Sequence, residues 1–87
     1  MSKTIYVVSY TSYYDGIYNN VIAFDNIESA IDSANNYLAD AKDEMREDFI
    51  LEKNFNHYKG GYQEIEVNDN YSSTTFLISI SKFNFAQ

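Results

Sequence analysis

DNIESAIDSANNYLADAKDEM, residues 25–45, carries its apolar side chains at a helical period. Ile27, Ala30, Ile31, Ala34, Leu38, Ala41 and Met45 recur at spacings of three and four, which draws one stripe along an α-helix. Much of the stripe is alanine, so such a helix can lie close against a sheet. Asp25 with Glu28 three residues later resembles a capping box, and both carboxylates suit the positive end of the helix dipole. The pattern predicts a helix that starts at Asp25–Ile27. Its end is open between Glu47 and Asn54: one helix can run to about Lys53, or break near Glu47 before a short further element.

Period-two segments flank the helix on both sides. In residues 4–12, Ile5, Val7 and Ser9 alternate with Tyr6, Val8 and Tyr10; in 18–24, Tyr18, Asn20, Ile22 and Phe24 alternate with Val21 and Ala23. Between these two segments, Tyr14-Asp15-Gly16-Ile17 supplies the residues of a tight hairpin turn. Residues 54–61, rich in Asn and Gly, predict a loop. Tyr62, Glu64 and Glu66 then oppose Gln63, Ile65 and Val67, Asn68-Asp69-Asn70 signals a turn, and Phe76, Ile78 and Ile80 oppose Leu77, Ser79 and Ser81 within 74–83. The order is β-β-α-β-β. It predicts an α+β fold, a four-stranded antiparallel sheet with one long acidic helix on one face, in a single small domain spanning residues 1–87.

The charge is unevenly placed. Between Asp25 and Glu52 nine carboxylates face only Lys42 and Arg46, a surplus of seven that equals the whole formal charge of −7. The remaining acids and bases cancel. A field of one sign on one element attracts cationic surfaces and repels nucleic acid and anionic lipid. Asp40, Glu44 and Asp48 are spaced four apart, with Asp43 and Glu47 in a neighbouring row. Four helical residues rise about 6 Å. Alternate phosphates along one DNA strand are about 6.8 Å apart. Like charges four residues apart weaken a helix by a few tenths of a kcal/mol per pair. Confining the excess to one segment therefore sets a binding role level with simple solvation of a helix face.

Nine tyrosines are the second bias. Tyrosine offers a large contact area at low entropic cost, with a hydroxyl that can hydrogen-bond. Most of these rings are expected to pack on the sheet, with Tyr13, Tyr14 and Tyr18, around the first turn, exposed.

Several chemistries are excluded or poorly supported. There is no cysteine, which removes thiol nucleophiles, disulfides and thiolate metal sites. His57 is the only histidine, and no HExxH or calcium-loop pattern occurs, so no metal or cofactor is expected. No spacing suggests a nucleophile beside a base, so an enzyme is not expected. Six scattered bases cannot supply the phosphate neutralisation that direct nucleic-acid binding needs. No apolar run approaches a membrane span, and the N-terminus lacks a secretion-signal pattern, which predicts a cytoplasmic protein.

Small size, the lack of cysteine, Tyr and Asn richness and the Asp40–Asp48 cluster together resemble the small acidic proteins that bacteriophages and mobile elements encode against host defences, anti-CRISPR and DNA-mimic proteins among them. The resemblance implies an inhibitor that occupies a basic groove on a host nuclease complex or restriction enzyme. Asp40, Asp43, Glu44, Glu47 and Asp48 are the expected contacts to a Lys/Arg-rich partner surface, with Tyr13, Tyr14 and Tyr18 as anchors. The alternative is a self-associating structural or accessory domain, in which Leu77, Val8 and tyrosines on the uncovered sheet face pair two subunits.

Overall fold

A computed structural model describes residues 2–13, 17–45, 54–68 and 74–86, apart from the side chains of Ser2, Lys42, Glu44, Met45, Thr74, Thr75 and Ala86. Strand β1 spans Ser2–Ser12, β2 Tyr18–Phe24, helix α1 Ile27–Met45, β3 Tyr62–Asn68 and β4 Thr74–Ala86. The expected β-β-α-β-β order and α+β architecture are both present. Neighbouring strands are antiparallel throughout, in the order β2-β1-β4-β3. The first and last strands therefore form the centre of the sheet, with Ser2 opposite Ala86 and Ser12 opposite Phe76.

The register gathers one apolar set under the helix. Val8 lies between Ile22 and Ile80, Tyr10 lies opposite Ile78, and Ile78 lies opposite Ile65. Val8, Ile65, Val67, Phe76, Ile78 and Ile80 are buried there against Ala30, Ala34, Leu38 and Ala41 of α1. The alanines lack side chains beyond Cβ, so the helix backbone can approach the sheet closely and leave the larger strand residues to fill the layer. Ile27, Ile31 and Tyr37 pack around this centre. Val8 thus belongs to the covered face. The pairing with Leu77 on an open face expected above is corrected, because Leu77 alternates with Phe76 and Ile78 and points the other way.

The helix start also differs from expectation. Asn26, not Asp25, is the cap: its Oδ1 accepts the backbone N–H of Ser29 at 2.8 Å. Asp25 stands one residue earlier, where its Oδ1 accepts the side-chain N–H of Asn26 at 3.2 Å. The chain leaves β2 at Phe24 and needs two residues to turn onto the sheet, so the side chain that meets the first free amides is the second one. The far end of the helix beyond Met45 and the turns at Tyr14–Gly16 and Asp69–Asn70 lie outside the described residues.

The Asn- and Gly-rich segment 54–61 forms neither helix nor strand, as expected of a loop, yet it belongs to the core. Phe55 is fully buried and Tyr58 nearly so. Asn35 of α1 holds the segment in place: its Oδ1 accepts the Phe55 backbone N–H at 2.9 Å, and its Nδ2 donates to Asn56 Oδ1 at 2.8 Å. Tyr58 meets Tyr6 edge-on at 6.2 Å and donates its hydroxyl to the Gly61 carbonyl at 2.8 Å. Gly60 and Gly61, at φ 93° and 109°, take the left-handed backbone that this return into β3 requires.

Phe55→Ala is expected to destabilise the protein by about 3–5 kcal/mol, the usual range for emptying a buried phenylalanine site; urea unfolding checks it, and a loss under about 1 kcal/mol would mean that the segment is peripheral. Tyr58 has its pKa raised above the ordinary 10, first by burial and then by nearby Tyr6. Folding therefore favours the protonated phenol. That contribution is complete below pH 10 and is lost as pH rises through the higher folded value. Tyr58→Phe is expected to flatten the fall in urea midpoint across the alkaline range relative to the parent protein.

Candidate interaction surface on the acidic helix

The sheet-facing stripe of α1 fixes where its carboxylates point. Each residue turns the helix by about 100°, so side chains out of phase with Ala30, Ala34 and Ala41 face away from the sheet. Glu28, Asp32, Asp40 and Asp43 are all exposed. Glu28, Asp32, Asn36 and Asp40 follow one another at intervals of four along α1. Each step rises about 6 Å and turns about 40°, so this row slants across the outer face rather than running straight.

Of the expected contact residues, α1 carries Asp40 and Asp43, both exposed and three residues apart, while the side chain of Glu44 lies outside those described. Glu47 and Asp48 lie outside the described residues, as does Tyr14. Tyr13 and Tyr18 are 48% and 59% exposed and sit at the β1–β2 hairpin end. The acidic row continues toward the helix start through Asp32 and Glu28, which the Asp40–Asp48 grouping leaves out. Its signal in the sequence is the same spacing of four.

Tyr37 connects the two sets. It stands three residues before Asp40, stacks on Tyr10 at 4.8 Å between ring centres, and accepts a 2.7 Å hydrogen bond from Asn20 Nδ2. Tyr10 in turn meets Tyr18 at 6.2 Å in an edge-on contact. The chain Tyr37–Tyr10–Tyr18 ties the flank of the helix to β1 and β2 and puts Tyr18 on the helix-covered side of the sheet. Residue 37 falls three after Ala34 and four before Ala41, so it borders the apolar stripe without having been counted in it.

Chemically this surface presents separated anions and phenol rings on a convex element. Among the described residues, no three His, Asp or Glu side chains gather as a metal ion requires, and no helix is long and apolar enough to cross a membrane. A cleft of about 440 Å³ opens elsewhere, between the start of β1 and the turn into α1, and is lined by Lys3, Ile5, Phe24 and Asn26 among others. His57 is exposed on the 54–61 segment, whose Asn56 is tied to Asn35 of α1.

No protein-family model matches the chain, and no curated protein or solved structure matches it.

Because Asp40 and Asp43 are exposed, their replacement by Asn is expected to shift stability by no more than about 0.5 kcal/mol in either direction. Urea unfolding of the double variant measures this, and a larger loss would assign the carboxylates a structural role.

Proposed function

We propose that this is a non-enzymatic binding protein whose acidic helix occupies a basic, nucleic-acid-binding site on another protein. The host setting suggested by the resemblance is a defence nuclease complex or restriction enzyme in the cytoplasm, inhibited by a decoy of the nucleic-acid backbone. One observation carries the reading: the carboxylates of Glu28, Asp32, Asp40 and Asp43 are exposed on α1, which holds five acids against one base.

The physics of such a contact follows from that arrangement. Anions at roughly 6 Å intervals approximate the spacing of alternate phosphates, about 6.8 Å apart. Lysines and arginines positioned for phosphates therefore meet carboxylates without moving far. Long-range attraction speeds encounter and selects the partner, with less effect on final affinity. Affinity comes from buried contact, which Tyr13 and Tyr18 can supply beside the charges. Direct nucleic-acid binding is disfavoured by the same field, as is approach to an anionic membrane surface.

Changing Asp40, Asp43, Glu44, Glu47 and Asp48 together to Asn or Gln is expected to abolish capture of the partner from host lysate while the circular dichroism spectrum is retained. Parent-protein capture should weaken sharply between low and high salt, since the Debye length falls to about 3 Å at 1 M. Equal capture by the parent and the neutralised variant would overturn the proposal.

A further inference from the structure

Helix α1 covers one face of the sheet; the opposite face has no described element on it. Alternation assigns this open face its residues. Ala23, Val7, Ser81 and Tyr62 form one row across all four strands. Below that row, Ile5 lies opposite Phe83 and Lys3 opposite Phe85; above it, Val21 lies opposite Ser9. Val21, Phe83 and Phe85 are 58%, 48% and 50% exposed. The face thus has a low floor of serines along the middle of the sheet, with large apolar side chains standing at one edge and one end.

We propose that this open face binds the same face of a second copy, forming a two-fold symmetric dimer through sheet-on-sheet packing. The inference is independent of the acidic-helix reading. Three features favour a second copy as the occupant.

The first is area. Four strands at about 4.8 Å span roughly 19 Å, and the central pair extends about 30 Å. That gives on the order of 600 Å² per copy, or about 1,200 Å² in all, the lower bound of specific, stable interfaces.

The second is the placement of charge. Glu28, Asp32, Asp40 and Asp43 stand exposed on the helix, so face-to-face packing sets these anions on the outside. One sheet-to-sheet spacing plus two helix-to-sheet spacings separates the helix axes by about 30 Å. That is several Debye lengths at physiological salt, where the length is about 8 Å. Self-association by this face therefore escapes the repulsion that a chain of charge −7 would meet through any surface near the helix.

The third is complementarity of the face with itself. Lys3 lies at the end of the face where β1 and β4 extend past their neighbours, whereas Glu64 and Glu66 lie toward the other end, on β3. A two-fold axis running across the strands exchanges the two ends, which sets Lys3 of each copy toward the glutamates of the other. An isologous interface needs this self-complementarity. The Tyr62 hydroxyl donates to the Glu64 carboxylate and holds the β3 edge of the face in one arrangement.

Sedimentation equilibrium of the full chain between about 1 and 100 μM, a range matching ordinary protein–protein affinities, tests the proposal. The expected species has twice the 10.1 kDa chain mass. Val21→Lys with Phe83→Glu, two exposed positions, should weaken dimerisation at least about tenfold, a change of about 1.4 kcal/mol, with circular dichroism unchanged. Lys3→Glu should weaken it too, and Lys3→Glu combined with Glu64→Lys and Glu66→Lys should restore it. That charge reversal leaves the apolar residues intact, so it reads the interface even if the first variant fails to fold. The acidic-helix variant with five Asn or Gln replacements should dimerise normally, which separates this outcome from that of the proposed function. A monomer at every concentration, a dimer indifferent to all of these open-face changes, or occupation of the face by a different protein in place of a second copy would overturn the inference.

Discussion

Val8 and Ile80 face each other across the central strand pair, and both are fully buried beneath α1. Burying a Val or Ile side chain contributes roughly 1.5–3 kcal/mol, and this contact joins the two ends of the chain. Pairing β1 with β4 is the least local step in the fold, so the loop-closure entropy it requires is offset only when the apolar faces of both strands meet the helix together. The other elements take their places from it. β2 lies beside β1 at one edge, β3 lies beside β4 at the other, and α1 packs over β1, β4 and β2 with its alanines over the centre.

The same packing sorts the molecule electrically. A helix with small residues inward leaves its polar residues no place except the outer surface, so one stripe dictates both the core and the anionic face. Tyr37 and Asn35 hold the two flanks of that helix. Tyr37 reaches β2 through Tyr10 and Asn20, while Asn35 secures Phe55 and Asn56 of the 54–61 segment. Each is a polar or amphipathic side chain that satisfies a hydrogen bond and fixes the helix at the margin of the core. The charged surface is therefore carried on an element held on both sides, which suits a contact that must present anions at set intervals.

The two sides of the sheet differ in consequence. One is closed by α1, whose Glu28, Asp32, Asp40 and Asp43 are exposed. The other keeps its apolar side chains in the open with its few charges near the ends and edge. A binding surface on the helix and a self-association surface on the open sheet use different residues and different forces, the first screened by salt and the second by its nature much less so. Both can operate in one molecule without competing.

Much of this was legible beforehand because it depends on local periods. Alternation in Phe76–Ser81 and in Tyr62–Val67 assigned side chains to faces correctly, and the three-four spacing from Ile27 to Ala41 located both the helix and its inner stripe. The cap was misread by one residue, since the amides that need a partner are placed by how the chain leaves β2. Segment 54–61 reads as a polar loop from composition, yet Phe55 is core, because a single aromatic among asparagines has no period to reveal its burial. Asp40 and Asp43 were legible as outward residues once the stripe was known, whereas Tyr37 lies outside the seven stripe residues and its packing against the core shows only in the structure. By itself the sequence determined which elements form, which side of each is apolar and which element carries the charge, since these follow from chirality and side-chain period within a few residues. Only the tertiary structure decided that the chain ends pair at the centre, that Val8 and Leu77 part to opposite faces, and that Phe55 closes the core, because each depends on contacts between residues far apart in the chain, where no local pattern reaches.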